Sequence, residues 1–230
     1  MIERLRTDCD LSDEQVAAIR RYSDLLRAWN AHTNLTAITE PDAIAIRHFY
    51  DSLTCLRALP EGAARLIDVG TGAGVPGLPL RIARPALALT LVDSVNKKVA
   101  FVRHVAEELG LAGVTALHAR AEALGQQPDH REAYDAVLAR SVAHLPVLAE
   151  YLLPLCRVGG LCIAMKGESA AREVDEAADA LALLGGEAAP PQAVNLPGEV
   201  DPHYLVVIEK IAPTPPDYPR RPGRPRKRPL

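Results

Sequence analysis

The chain has 230 residues, 48% of them apolar and 24% charged, with a formal net charge of −3. That apolar share suits one sizeable core with a small extension at each end, and it excludes a disordered or fibrous chain. No run of about 18 uninterrupted apolar residues is present, so no membrane span is expected.

The opening segment MIERLRTDCDLSDEQ is too charged for a signal peptide, which points to a cytoplasmic protein. The four cysteines, Cys9, Cys55, Cys156 and Cys162, form no C-x-x-C and read as reduced thiols. The seven histidines include no H-x-x-x-H pair, so no metal site is expected. Charge is uneven. Residues 218–230, YPRRPGRPRKRPL, hold six of the 26 basic residues and no acid, leaving 20 basic against 29 acidic residues in the body. An acidic body with a basic tail suggests a polyanionic partner met at one place.

In chain order, Ser12 and Gln15 form a capping box. Val16, Ile19, Tyr22, Leu25, Leu26 and Trp29 then recur at helical spacing, so a helix is expected over 12–29. The stretch 30–39, rich in Asn and Thr, reads as a loop, and Thr39 with Pro41 opens a second helix to about Leu59. From Ala64 strands and helices alternate. Strands are expected at 65–69, 87–92, 114–118, 134–139 and 161–165, with helices near 76–83, 95–109, 145–156 and 170–184. Repeated units of this kind make a mainly parallel, doubly wound sheet. Two late strands, 187–195 and 204–210, have no helix between them and suggest an antiparallel hairpin at one edge. From Ile211 there are seven prolines in 20 residues, a composition expected to stay outside any core. The organisation is thus an N-terminal helical cap (1–63), an α/β domain (64–211) and a basic tail (212–230).

The most informative segment is 66–77, LIDVGTGAGVPG: an apolar strand ending in Asp68 and breaking into Gly70, Gly72, Gly74 and Gly77. Glycines admit φ > 0 and let a ligand approach the main chain, and the following helix aims its N–H groups at that ligand. Gly72, Gly74 and Gly77 satisfy G-x-G-x-x-G, and Asp93 ends the next strand, a combination that also fits a dinucleotide. Asp93 can accept from both ribose hydroxyls in either case. Three features favour S-adenosylmethionine over NAD. Asp68 suits a cationic ligand, Glu122 after the third strand could meet an adenine amino group, and two helices precede the first strand. Asp68 could equally brace the loop.

Several pieces in order carry a family resemblance: Asn34–Ile38, Arg47-His48-Phe49 with Asp51-Ser52-Leu53, Asp68–Gly77 ending in VPG, Leu91–Ser94, Arg120-Ala121-Glu122, Arg140-Ser141-Val142, Lys166-Gly167 and the YPRRPG ending. The chain resembles the bacterial 16S rRNA guanine-N7 methyltransferase family (the RsmG, or GidB, family) almost end to end. Two departures are a longer segment at 124–133, expected to be a surface variation, and Ser141, where the family more often has Ala. The resemblance implies a class I S-adenosylmethionine-dependent methyltransferase: Rossmann-like, with a mainly parallel seven-stranded sheet, an antiparallel last strand and an N-terminal helical extension. It implies methylation of guanine N7 in the decoding-region loop of 16S rRNA, within the 30S subunit or its precursor, by a monomer. It also implies a cofactor site of Gly70, Val75, Ala121, Glu122 and Arg140, to which the residue reading adds Asp68, Gly72, Gly74 and Asp93.

N7 carries no proton, so no general base is needed and no catalytic residue is assigned. His48, Arg140 and Lys166 are the candidates for guiding base or phosphate, with Arg140 alternatively pairing with the methionine carboxylate. Arg220, Arg221, Arg224, Arg226, Lys227 and Arg228 are the expected RNA contacts, and deleting the tail should leave cofactor affinity intact. Bland readings stand beside these. His48 and Asp51 could be a helix-surface pair, Asn34 and Thr36 turn formers, Lys97 and Lys98 a solvated helix start, and the tail a solubility segment. The acidic run Glu173, Asp175, Glu176, Asp179 reads as a solvated helix face. The competing functions are a small-molecule methyltransferase, a non-catalytic RNA- or ribosome-binding module, and an NAD-dependent oxidoreductase.

Overall fold

A computed structural model describes residues 1–60 and 62–230. Eight strands form one sheet: β1 (Arg65–Val69), β2 (Ala88–Asp93), β3 (Val114–His118), β4 (Tyr134–Arg140), β5 (Cys156–Lys166), β6 (Gly186–Ala188), β7 (Gln192–Val194) and β8 (His203–Lys210). Their order is β3-β2-β1-β4-β5-β8-β6, with β7 also on β8. The first five strands are parallel. β8 runs antiparallel to β5 and is flanked by β6 and β7 on its other side. The last strand is therefore inside the sheet. The expected strand 187–195 is split because Pro190 and Pro191 lack the N–H groups a ladder needs.

Successive residues of the strands serve opposite faces. Leu66, Leu91 and Leu138 pack under the cap with α5 (Gly77–Ala83) and α6 (Asn96–Glu108). Ile67, Val92 and Val137 pack on the other face with α8 (Leu145–Leu152), α9 (Ala170–Glu176) and α10 (Ala178–Leu184). The expected helix 170–184 is broken at Ala177, and the expected helix 145–156 stops early because Cys156 already pairs with Tyr134.

The cap begins with α1 (Ile2–Asp8) and α2 (Asp13–Thr33). The capping box of α2 forms, and the Gln15 amide also donates to the carbonyls of Ile82 and Ala83. One residue thus starts the cap helix and ties it to the end of α5. The second cap helix is irregular: α3 (Pro41–Ile44), a π-helical turn (Ala45–Tyr50), α4 (Asp51–Leu53) and a 3₁₀ turn (Thr54–Arg57). Its π-helical turn carries His48, and such turns are frequent at functional sites.

The tail departs most from expectation: it is docked as a strap. Arg131 donates to the carbonyls of Gly125, Thr214, Pro215 and Tyr218. The Thr214 amide donates to Glu132, and Gly125 sits close against Pro219 and Pro154. Arg220 makes a bidentate pair with wholly buried Glu150, and α7 (Ala121–Leu124) is linked through Glu122 to the Gly223 amide. The short helix α11 (Arg224–Lys227) follows. Prolines cannot join a ladder, but the tail's carbonyls can still accept, and the guanidinium of Arg131 collects those of Thr214, Pro215 and Tyr218. The segment 124–133, expected as a surface variation, is therefore the strap's anchor. Replacing Arg131 by Ala should free the strap, so that tryptic cleavage at 221–228 speeds up at least about tenfold with a smaller effect on global unfolding. An unchanged cleavage rate would contradict this anchoring.

Candidate cofactor and substrate cavities

The glycine loop is held from below and from the cap side. Gly70, Gly72 and Gly74 all have positive φ, of 70°, 58° and 89°. Beneath them, wholly buried Asp68 accepts from Thr71 Oγ1 at 2.7 Å and from the Gly77 amide at 3.0 Å through one oxygen, Oδ2. A Cβ on Gly77 would sit 2.9 Å from that oxygen. Burial pushes the Asp68 carboxyl up to about 6 against the pull of these bonds. From the cap, the Tyr22 hydroxyl donates to the Ala73 carbonyl, and a Cβ at Gly74 would meet both that hydroxyl and Leu78 at 2.5 Å. Asp68 is thus a brace, correcting its assignment as a ligand contact. Gly74 and Val75 turn inward against the cap and also stay off the cavity wall.

A cavity of about 200 Å³ lies above the ends of β1, β2 and β3. Its wall includes Gly70, Asp93, Ala121 and Glu122, which the sequence reading had nominated, with Val142 opposite. Gly72 reaches it through Asp93: the Gly72 amide donates to Asp93 Oδ2 at 3.0 Å, and the Val95 amide donates to Oδ1 at 2.9 Å. A carboxylate has about four lone-pair sites, so Asp93 keeps acceptors for two ribose hydroxyls. A Cβ at Gly70 would lie 2.6 Å from Val142, so only glycine permits this wall. These groups fit an adenosine: an acceptor for the ribose, apolar walls from Val69, Val92 and Val142, and an acid at Glu122. The volume is below the roughly 300–1,000 Å³ of most ligand sites. The strap narrows it, because Gly223 and Arg226 line the same cavity and the Gly223 amide donates to Glu122 at 2.9 Å.

A second cavity, of about 460 Å³, adjoins it above the ends of β4 and β5 and the start of β8. The partition is the end of β4: Ser141 lines one side and Val142 the other, with Ser141 at φ 55°. Arg140, carried over as a cofactor contact, lines this second cavity and not the first. Its guanidinium donates to the Arg47 carbonyl at 2.6 Å, to Asp51 Oδ2 at 3.3 Å and to His48 Nδ1 at 2.9 Å. A guanidinium only donates, so Nδ1 of His48 accepts, and Nε2–H donates to Thr36 Oγ1 at 2.9 Å. His48, Asp51 and the half-buried Thr36, with Arg140, therefore form one network that locks the cap onto the sheet, and the buried His48 and Asp51 are not a surface pair. Burial first, and Arg140 second, push the His48 imidazole down to about 4.

Lys166 borders the second cavity, but its ammonium is bound to Glu173 at 2.6 Å and to the Ala143 carbonyl at 2.7 Å. It is committed to holding the β4–α8 connection, which corrects its role as a substrate guide. Glu173 also accepts from the Leu145 amide and from Ser169, so it is a buried pairing group and not part of a solvated face. Arg220 is likewise spent on Glu150. Arg221, Arg224, Arg226, Lys227 and Arg228 remain exposed beside the first cavity.

Sequence reasoning missed the part that Tyr22, Arg131 and Glu150 play here. Tyr22 was findable: a buried tyrosine on an apolar helix stripe needs a partner for its hydroxyl. The others meet across 70 or more residues and leave no local trace.

His48 should stay neutral, as the Nε2–H tautomer, down to about pH 4. Its folded pKa lies below the unfolded 6.5, so its contribution to stability is present above pH 6.5 and is lost as pH falls through about 4. Asp68 acts oppositely: its folded pKa is raised, so its contribution is lost as pH rises from about 4 through about 6. A melting curve would mix the two, so imidazole NMR is the proper check. A His48 midpoint near 6.5 would contradict the network.

Comparison with known proteins gives the family and the fold. A family model for the rRNA small subunit methyltransferase G family (GidB) matches residues 15–197. A ribosomal RNA small subunit methyltransferase G from Roseiflexus sp. is 52% identical over 220 residues, spanning 96% of this chain and 94% of its own length. One from Alkaliphilus metalliredigens is 47% identical over 222 residues, spanning 96% and 92%. Among solved structures, a SAM-dependent methyltransferase from Aquifex aeolicus matches 74% of this chain and 93% of its own, with TM-score 0.53 and 16% identity. A SAM-dependent O-methyltransferase from Thermotoga maritima matches 83% and 72%, with TM-score 0.52 and 16% identity. The structural matches establish a class I methyltransferase fold. From the family match and these relatives, the chain belongs to the rRNA small subunit methyltransferase G family.

Proposed function

We propose that this chain is an rRNA small-subunit methyltransferase that uses S-adenosylmethionine to methylate N7 of a guanine in the decoding-region loop of 16S rRNA. The observation that carries the reading is the pair of adjoining cavities parted only by the end of β4. One offers an adenosine its carboxylate and glycine wall, and the other opens where a second reactant would lie. S-adenosylmethionine, when bound, supplies an electrophilic methyl group. The chain's own contribution is positioning, with N7, methyl carbon and sulfur brought in line about 3 Å apart. N7 of neutral guanine has a lone pair and no proton. The site's commitments agree with this: His48 has both nitrogens engaged and Lys166 is paired, so neither is poised as a base.

Five exposed cations on the strap lie beside the first cavity and suit phosphates of a structured RNA. The body is otherwise acidic, so we read the substrate as an assembled or partly assembled 30S particle, with contact concentrated at this strap.

Two experiments test the reading. The first incubates the protein and methyl-labelled S-adenosylmethionine with 30S particles from a strain lacking this family, then maps the label. Label at a single guanine N7 of 16S rRNA is expected, and no label in that RNA would sink the reading. The second replaces Arg221, Arg224 and Lys227 together by Ala. The slope of log affinity against log salt should shrink by about 2, at roughly 0.7 per lost phosphate contact. Cofactor affinity should hold within about twofold, because these side chains, unlike Gly223, do not line the cofactor cavity. Removing the whole strap should weaken cofactor binding as well, in contrast to the expectation from sequence, since Gly223 holds Glu122.

A further inference from the structure

The second cavity holds one acceptor that the protein's own hydrogen bonds leave over. Asp51 is nine-tenths or more buried and lines the cavity. Its Oδ2 takes the bond from Arg140. Its Oδ1 has His203 Nδ1 at 3.6 Å, beyond hydrogen-bond reach, and no hydrogen-bond donor among the described residues. The other charged groups differ. The fork of Arg47 is occupied by Glu199 at 2.9 and 2.6 Å, and Lys166 is held by Glu173. Glu168 and Asp201 stand exposed on the rim, where water serves them. Oδ1 opens to the cavity, so it offers its lone pairs to a ligand that supplies N–H groups. Beside Ser141 and Gly167, the remaining wall is apolar or aromatic: Met165, Ile38, Pro202 and the half-buried Tyr204.

We infer that this cavity receives the target base, extruded from the RNA, with Tyr204 as its stacking wall and Asp51 as the acceptor that selects guanine. The inference rests on the function proposed above and names the residues that read its substrate. Guanine presents two adjacent donors, N1–H and the 2-amino group, which the free oxygen Oδ1 can accept together through its two lone-pair sites. Adenine presents no N1–H and no 2-amino group. Tyr204 would hold any base by its face, so it contributes affinity without selection. Asp51 also favours the reaction itself. As the N7 lone pair bonds to the methyl carbon, the C–S bond electrons return to sulfur and the positive charge passes from sulfonium to base. The N–H groups of the cationic base donate more strongly, so the carboxylate binds the product-like state better than the starting base.

The test uses the full chain saturated with S-adenosylhomocysteine and titrated with GMP, IMP and AMP, followed by NMR at the methyl of Met165 and the ring of Tyr204. Wild type should bind GMP at least about tenfold more tightly than AMP, with IMP, which lacks the 2-amino group, between them. Asp51→Asn keeps an oxygen for Arg140 and should compress the GMP-to-AMP ratio below about threefold. Tyr204→Ala should weaken GMP and AMP together by about fivefold or more, leaving their ratio in place. Equal binding of GMP and AMP to wild type, an unchanged ratio in Asp51→Asn, or no perturbation of Met165 and Tyr204 at the highest soluble GMP concentration would each overturn the inference. If 30S labelling succeeds and this preference is absent, the base-reading role falls and the methyltransferase reading stands. If labelling fails, that reading falls whatever the mononucleotides do.

Discussion

The buried carboxylate of Asp68 sets the shape of everything around it. A charged group in an apolar interior is costly unless bonded, and Asp68 takes its two bonds from Thr71 and Gly77, at opposite ends of the glycine loop. The loop is thereby cinched over a single oxygen atom. Gly77 must be glycine because any Cβ would strike that carboxylate, and α5 must begin there because its first free N–H is the donor. The raised pKa of Asp68 shows that these bonds only partly offset its burial. The loop stays in place because Tyr22 closes it from the cap side.

This second clamp makes the N-terminal cap part of the site. The cap touches the sheet through Gln15 at the end of α5, Tyr22 at the glycine loop, and the His48–Asp51–Arg140 network at the end of β4. The Tyr22 and His48–Asp51–Arg140 contacts meet C-terminal strand ends, where ligands of such sheets lie, and Gln15 pins the cap at the far end of α5. The C-terminal strap does the same from the opposite side, through Glu150 and Glu122. The bidentate pair of Arg220 with a wholly buried Glu150 fixes the seat of the strap: removing Arg220 would leave Glu150 as an unpaired buried charge. Its other cations stay in solvent, beside a body that is otherwise acidic.

Much of this architecture was legible in the sequence because it is written in local signals. Strand and helix periodicity led to the parallel sheet, the capping box marked the start of α2, and Gly70 with Asp93 marked the cavity at the ends of β1 and β2. What was misread has a common physical cause. Asp68 and Glu122 look alike as acids near a loop, yet one is sealed beneath it and the other lines a cavity. Lys166 and Glu173 each look solvated or functional alone, yet they pair with each other and with the Ala143 carbonyl, the Leu145 amide and Ser169. Proline content forecast a free tail because composition reports missing donors, while the docking uses carbonyl acceptors gathered by one distant arginine.

The central claim is that methyl donor and acceptor meet across the end of β4, the donor held by the Asp93–Glu122 cavity. A crystal structure with S-adenosylhomocysteine bound tests this most directly. The ribose hydroxyls should lie within hydrogen-bond distance of Asp93, the adenine beside Ala121 and Glu122, and the sulfur at the Gly70–Val142 wall facing the cavity of Arg140 and Asp51. A cofactor seated elsewhere, or one whose sulfur points away from the end of β4, would contradict the account.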